Sequence, residues 1–388
     1  MTPAMSFDDV TLDALRETGG VKWSMFPDKI GAFVAEMDFG TAPAIVEALH
    51  AAVDSGVFGY LPRSMAEQMS EATAQWLRTQ YRWDVPPDRV RPIADVIAGL
   101  EAAIEHFSEP GSPVIVPTPA YMPFLKVPNA LGRKQLEVPM TVEDGRYVYD
   151  LHALEEAFAA GGNLLILCNP HNPIGRVLER SEMEKIAAVV ARNAGRVFSD
   201  EIHAPLVFPG HQHVPYASIS EVAARHTVTA MSASKAWNLP GMKCAQLVLS
   251  NDADTERWAD VGMMAEHGAA NLGVVANTAA YSAGGQWLAE VLAYLDDNRR
   301  LLGELLAEKL PEVGYIAPEG TYLAFLDCRA LDLGQHPADF FRDVAGVAMT
   351  DGAMCGEAGK GFCRYNFATP RPILEQTVEY MAEAVRRR

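Results

Sequence analysis

Five short apolar runs, spaced along the middle of the chain by helix-length segments, constrain its fold more than any other feature. They are "SPVIVPT" (112–118), "NLLILCNP" (163–170), "GRVFSDE" (195–201), "HTVTAMS" (226–232) and "CAQLVLS" (244–250). None alternates polar with apolar residues, so each reads as a strand buried on both faces. Between them, "RSEMEKIAAVVARN" (180–193) sets Met183, Ile186, Ala187 and Val190 on one helical face. Strand, helix and strand in succession predict an α/β fold with a mostly parallel sheet. Ligands bind such sheets beyond the carboxyl ends of the strands, so the residues just after each run are the ones to examine.

The flanks read differently. "TAPAIVEALHAAVDSG" (41–56) predicts a helix capped by Thr41, with Ile45, Leu49 and Val53 as its apolar stripe. From about residue 286, two amphipathic helices bracket short strands near 313–328 and 362–368, which implies a smaller α+β domain with a boundary near 281–290.

Charge narrows the partners. With 32 Lys+Arg against 50 Asp+Glu the chain carries a formal charge of −18, which repels phosphate backbones and anionic lipid. No nucleic acid and no membrane partner is expected. The acidic opening "MTPAMSFDDV" lacks the basic start of a signal peptide, and a cytoplasmic location is expected. Cys168, Cys244, Cys328, Cys355 and Cys363 show no C-x-x-C spacing, so neither a disulfide framework nor a metal site is expected; Cys168 and Cys244 read as core thiols.

The strand ends carry the chemistry. After the 163–170 run comes "NPHNPIGRV", which is either an ordinary turn or a loop presenting Asn172 to a ligand. The next run ends at Asp200, a carboxylate that needs a cation or donor if buried. His203 follows it and, taken alone, reads more readily as a satisfied core histidine than as a site residue. The 226–232 run leads into "SASKAWNLPGMK", with Ser232, Ser234, Lys235 and Lys243. An amide, an acid, a histidine and a lysine thus converge on one sheet edge. A buried lysine near a carboxylate, without a metal cluster or a G-x-x-x-x-G-K-[ST] loop, suits Schiff-base chemistry, and the matching cofactor is pyridoxal 5′-phosphate. Asp200 would keep the pyridine nitrogen protonated. Ser232, Ser234, Lys243 and the backbone N–H groups of Val96 and Ile97, at the start of the helix in "ADVIAGLEAAI", would hold the phosphate.

At these residues the sequence resembles the fold type I pyridoxal-phosphate enzymes, in particular their aminotransferase-like cystathionine β-lyase, or carbon–sulfur lyase, branch. The markers are "FVAEMDFGTAPAI" (33–45), "GVFGYLP" (56–62), "PTPAYMPF" (117–124), "NPHNPIGRV" (169–177), "SDEIHAPLVF" (199–208), "SASKAWNLPGMKCA" (232–245) and "GKGFCRYNFATPR" (359–371). The resemblance implies a large cofactor-binding domain (46–284) with a seven-stranded sheet, and a small domain formed by both chain ends (1–45 with 285–388). It also implies that Lys235 is the Schiff-base lysine and that Asp200 faces the pyridine nitrogen. Asn172 and His203 would bond the ring oxygen, and Tyr121 would be the aromatic plate over the cofactor. Arg364 would grip the substrate carboxylate, and Tyr60 would reach into the neighbouring subunit's site of a homodimer. Ile174 and Pro205 depart from the family pattern, where a small or polar residue and an acid are common.

The reaction so implied is β-elimination: a thiolate leaves an amino-acid thioether such as L-cystathionine, giving pyruvate and ammonia. An aminotransferase is the alternative enzyme, and a regulatory protein-binding role the alternative outside catalysis.

Overall fold

All five apolar runs are strands of a single sheet in the computed structural model, which describes residues 6–388. In chain order its seven strands are β1 (Val90–Ile93), β2 (Val114–Thr118), β3 (Gln135–Pro139), β4 (Leu164–Cys168), β5 (Arg196–Asp200), β6 (Thr227–Met231) and β7 (Ala245–Leu249). They lie side by side as β1-β7-β6-β5-β4-β2-β3. Neighbours from β6 through to β3 are parallel, and β7 alone runs against both of its neighbours. The two edge strands left no apolar run in the sequence for physical reasons. β1 contains Pro92, tolerated where one side of the strand needs no partner, and β3 is only partly covered.

Helices cover both faces, as parallel strands buried on two sides require. Those that position the site are α1 (Pro43–Asp54), α2 (Arg63–Tyr81), α3 (Val96–His106) and α4 (Arg180–Arg192). Ile45 is fully buried, but Val53 stays 45% exposed and the cap of α1 is Ala42, not Thr41. The Thr41 hydroxyl instead donates to the Trp237 carbonyl at 2.5 Å, tying this segment to the Lys235 loop.

α5 (Asn271–Ala283) is followed across Gly284 by the 25-residue α6 (Gly285–Lys309), and α7 (Arg371–Arg386) ends the chain. α6 packs against α7 beside a four-stranded antiparallel sheet of β8 (Gly314–Tyr315), β9 (Leu323–Asp327), β10 (Thr350–Asp351) and β11 (Phe362–Asn366), ordered β8-β9-β11-β10. One apolar cluster including Trp237, Tyr281, Leu295, Tyr322 and Phe367 runs from the Lys235 loop to this sheet. Cys168 and Cys244 are buried free thiols. Ile174, one of the departures from the family pattern, is buried among Met140, Tyr147, Phe325 and Phe362. Among the described residues no helix is long and apolar enough to cross a membrane, and no metal-ligating cluster occurs.

Candidate active site

The register of the central strands brings the expected residues level. Asp200, the last residue of β5, pairs with Cys168 at the end of β4 and with Ala230 near the end of β6. Beyond β4, Gly175 closes the "NPHNPIG" turn at φ +70°, where a Cβ would meet Pro318 at 2.2 Å. That turn buries Asn172, while the turn after β6 delivers Ser232 to Lys235.

Asp200 is 3% exposed and accepts a bond from the Ile202 amide at 3.0 Å, with Cys168 Sγ at 4.0 Å from its other oxygen. Among the described residues no cation forms an ion pair with it, and burial pushes its pKa from 3.8 to about 7. Lys235 Nζ donates to the carbonyl of Ala35 at 2.9 Å. Burial, reinforced by the Arg364 charge, lowers its pKa to about 8, against the pull of Glu36 and Asp200. His203 is held neutral, far below its ordinary range, by burial and by the Lys235 and Arg364 charges.

Arg364, on β11, is 3% exposed. Its Nη1 donates to Asn172 Oδ1 at 3.0 Å, and its Nη2 to the Phe33 carbonyl at 2.8 Å and to Thr350 Oγ1 at 3.2 Å. Tyr121 meets Phe124 edge-on at 5.4 Å, and burial raises its phenol pKa. The Arg364, Asp200 and Asp95 charges also bear on that phenol.

Val96 and Ile97 open α3, and the cap of this helix is Asp95, which accepts from the Ala98 amide at 2.9 Å. Asp95 also pairs with Lys243 Nζ at 2.8 Å. Lys243 is held at φ +49° and its carbonyl accepts from the Ala270 amide at 3.0 Å. Ser232 Oγ donates to the Cys244 carbonyl at 2.7 Å and accepts from the Ser234 amide at 3.0 Å. Lys243 therefore sits against the start of α3, at the positive end of a helix, with the Ser232 bond to Cys244 beside it.

Tyr60 is not brought to this cluster. It is 90% exposed, on the rim of a groove of 1040 Å³ between the segment 57–71 and residues 263–272. Residues that the sequence did not single out also belong to the site. Ala35 and Phe33 contribute main-chain oxygens, Tyr322 donates to the Ala35 carbonyl at 2.9 Å, and Thr350 bonds Arg364. Backbone acceptors leave no side-chain signal. Asp95 did leave one, as a capping residue directly before an apolar helical run.

Whether pyridoxal phosphate suits this site is decided by its buried polar atoms. Asp200 lacks a cation, and His203 Nδ1 and Arg364 Nε are buried without a partner among the described residues. Such groups are costly unless something meets them. A protonated ring nitrogen, a ring oxygen and a carboxylate would satisfy all three.

The seven-stranded, mostly parallel sheet, with Asp200 at the carboxyl end of one strand and Lys235 just beyond the next, is that of the fold type I pyridoxal-phosphate-dependent enzymes. Within them the chain belongs to the class I and II aminotransferase family, whose model matches residues 27–385. It is 38% identical over 378 residues to the cystathionine β-lyase of Corynebacterium glutamicum, covering 96% of this chain and 99% of the relative. Its fold matches cystalysin of Treponema denticola, which contains pyridoxal 5′-phosphate, with a TM-score of 0.92 and 29% identity over 99% of this chain and 100% of that one. The pyridoxal-phosphate-bound C–S lyase of Staphylococcus hominis gives 0.90 and 26% over 98% and 99%.

Proposed function

We infer that this chain is a pyridoxal-phosphate-dependent carbon–sulfur β-lyase that splits L-cystathionine, or a related cysteine S-conjugate, into pyruvate, ammonia and a thiol. The full-length likeness to a cystathionine β-lyase carries the choice of reaction. The cluster of Lys235, Asp200 and Arg364 supports the chemistry.

When bound, pyridoxal phosphate supplies an electron sink for the charge left at the substrate α-carbon. Lys235 holds the cofactor between turnovers and, once released, takes the α-proton on Nζ. With a pKa near 8 a substantial share of that amine is neutral at physiological pH, which a base requires. Asp200 keeps a proton on the ring nitrogen by offering it a buried anion. Asn172 and His203 would bond the ring oxygen, and Tyr121 would offer its aromatic face to the ring. Ser232, Ser234, Lys243 and the Val96 and Ile97 amides take the phosphate by charge-assisted bonds and the helix dipole. Arg364, fixed by Asn172 and Phe33, orients the substrate carboxylate with its free Nε edge. The thiolate then leaves from the β-carbon and takes up a proton, and the released enamine is hydrolysed by water to pyruvate and ammonia.

The active unit in this reading is a homodimer. Phe58, Tyr60 and Met263 line the 57–272 groove and are 72%, 90% and 66% exposed, an apolar surface that a second copy would cover. Tyr60 then enters the partner's site. The cytoplasm is the proposed location, in keeping with free buried thiols.

The test is purified, cofactor-loaded protein with L-cystathionine and no added 2-oxo acid. Pyruvate, ammonia and homocysteine in equal amounts are expected. Turnover that starts only when a 2-oxo acid is supplied would make the protein an aminotransferase instead.

A further inference from the structure

Residues 33–36 present alternate carbonyls to two sides of the segment. The Phe33 oxygen accepts from Arg364 and from Thr350 Oγ1, the latter at 2.9 Å. The Ala35 oxygen accepts from Lys235 Nζ and from Tyr322 Oη, each at 2.9 Å. The Val34 and Glu36 oxygens both accept from Asn366 Nδ2, at 2.6 Å each, so the spacing between the two site carbonyls is fixed from behind. A carbonyl oxygen offers two lone pairs. At Ala35 the phenol occupies one, and the lysine is left with the other.

Tyr322 has no exposed surface, and its ring meets that of His203 at 5.9 Å. Burial, then the Glu36 charge, keeps its hydroxyl protonated well beyond neutral pH, so it donates under all working conditions. We propose that Tyr322 is the positioning residue for Lys235: by occupying one lone pair of the Ala35 carbonyl it fixes where the released amine rests and which way its own lone pair points. Tyr322 touches neither substrate nor cofactor in this role and acts only through the shared acceptor. The proposal rests on the reading of Lys235 as the base, and the test separates the two.

Tyr322→Phe removes the hydroxyl and keeps the ring. In cofactor-free protein, the pH dependence of Lys235 acylation by acetic anhydride, read by mass spectrometry, reports the amine without any turnover. A carbonyl relieved of one donor accepts more strongly from the other, so the Lys235 midpoint should rise by roughly half a pH unit. In loaded enzyme, exchange of the L-alanine α-proton in D₂O isolates proton transfer, because alanine has no leaving group. That exchange and kcat on cystathionine should fall about 3- to 10-fold, with KM within twofold. Should the Phe variant fail to fold, a fluorinated tyrosine at 322 keeps the packing and makes the hydroxyl a stronger donor, and the midpoint should move down instead. A midpoint and exchange rate that do not change in these variants overturn the proposal and leave Lys235 as base intact. Wild-type Lys235 that labels like an ordinary surface lysine overturns the proposal and the reading beneath it together.

Discussion

Replacing Asp200 by Asn in cofactor-free protein should stabilise the fold while disabling the enzyme. The carboxyl is 3% exposed, is met by one amide and a distant thiol, and has its pKa lifted from 3.8 to about 7 chiefly by burial. A folded pKa above the unfolded one means that the folded chain binds the proton more tightly. The penalty for the ionised form is therefore absent below pH ~4, grows between ~4 and ~7, and is complete above ~7. A displacement of roughly 3 pH units at ~1.4 kcal/mol each gives about 4 kcal/mol. Relaxation and water entry lower that to about 2 kcal/mol. Urea unfolding of both cofactor-free proteins should show Asp200→Asn more stable by about that amount at pH 8 and level with wild type near pH 4. Loaded Asp200→Asn should lose at least ~100-fold in kcat, because an amide cannot hold the ring proton by charge. Equal stability at pH 8, or a gap that persists as the pH falls, would refute the view of Asp200 as a buried acid awaiting a cation.

Lys235→Ala should lose the yellow, reduction-trappable link to the cofactor and at least 100- to 10,000-fold in turnover, as loss of a positioned base predicts. In wild type, the rate of cofactor uptake by the cofactor-free protein should climb with pH up to about 8 and level off above it, because only the neutral amine attacks; a flat profile would count against a depressed lysine. Tyr60→Ala and Lys235→Ala chains, each crippled alone, should regain activity when refolded together, since in a two-fold dimer one mixed site collects both lesions and the other neither. Tagged mixed dimers that form without any gain would show that Tyr60 does not act across an interface.

How much of this was legible in the sequence follows the kind of interaction involved. The five central strands announced themselves because burial on both faces leaves an unbroken apolar run, whereas β1 and β3, on the edges, left none. Asn172, Asp200, His203 and Lys235 could be brought together because parallel strands end on one side, and their register sets Cys168, Asp200 and Ala230 in a row. Arg364 joins them from a different sheet. Its place in the site came only from the resemblance carried by "RYN", since β11 sits more than 100 residues beyond Lys235. The cap of α1 was misplaced because Thr41 found a tertiary acceptor, the Trp237 carbonyl, outside its own helix. The marker at 33–45 pointed to the segment, but not to the Ala35 and Phe33 carbonyls, because their contribution is main chain.

Those main-chain acceptors raise a question of rigidity, since a site built on carbonyls is only as accurate as the segment that carries them. Side chains from several elements clamp residues 33–38. Asn366 binds from β11, and Asn238 exchanges two bonds with Met37, at 2.9 Å each, from the Lys235 loop. Lys22 meets Asp38 at 2.8 Å with both side chains almost wholly buried, while Trp23 Nε1 donates to the other Asp38 oxygen at 2.8 Å. A buried pair of this kind adds little net stability, because desolvation offsets the attraction. Its effect on position is larger. Sliding the segment by one residue would strand both charges without partners, at a cost of roughly 3–5 kcal/mol, and would turn the Ala35 and Phe33 carbonyls away from Lys235 and Arg364. The pair therefore acts on register, and through register on Lys235 and Arg364, the residues proposed to move the substrate's proton and to hold its carboxylate.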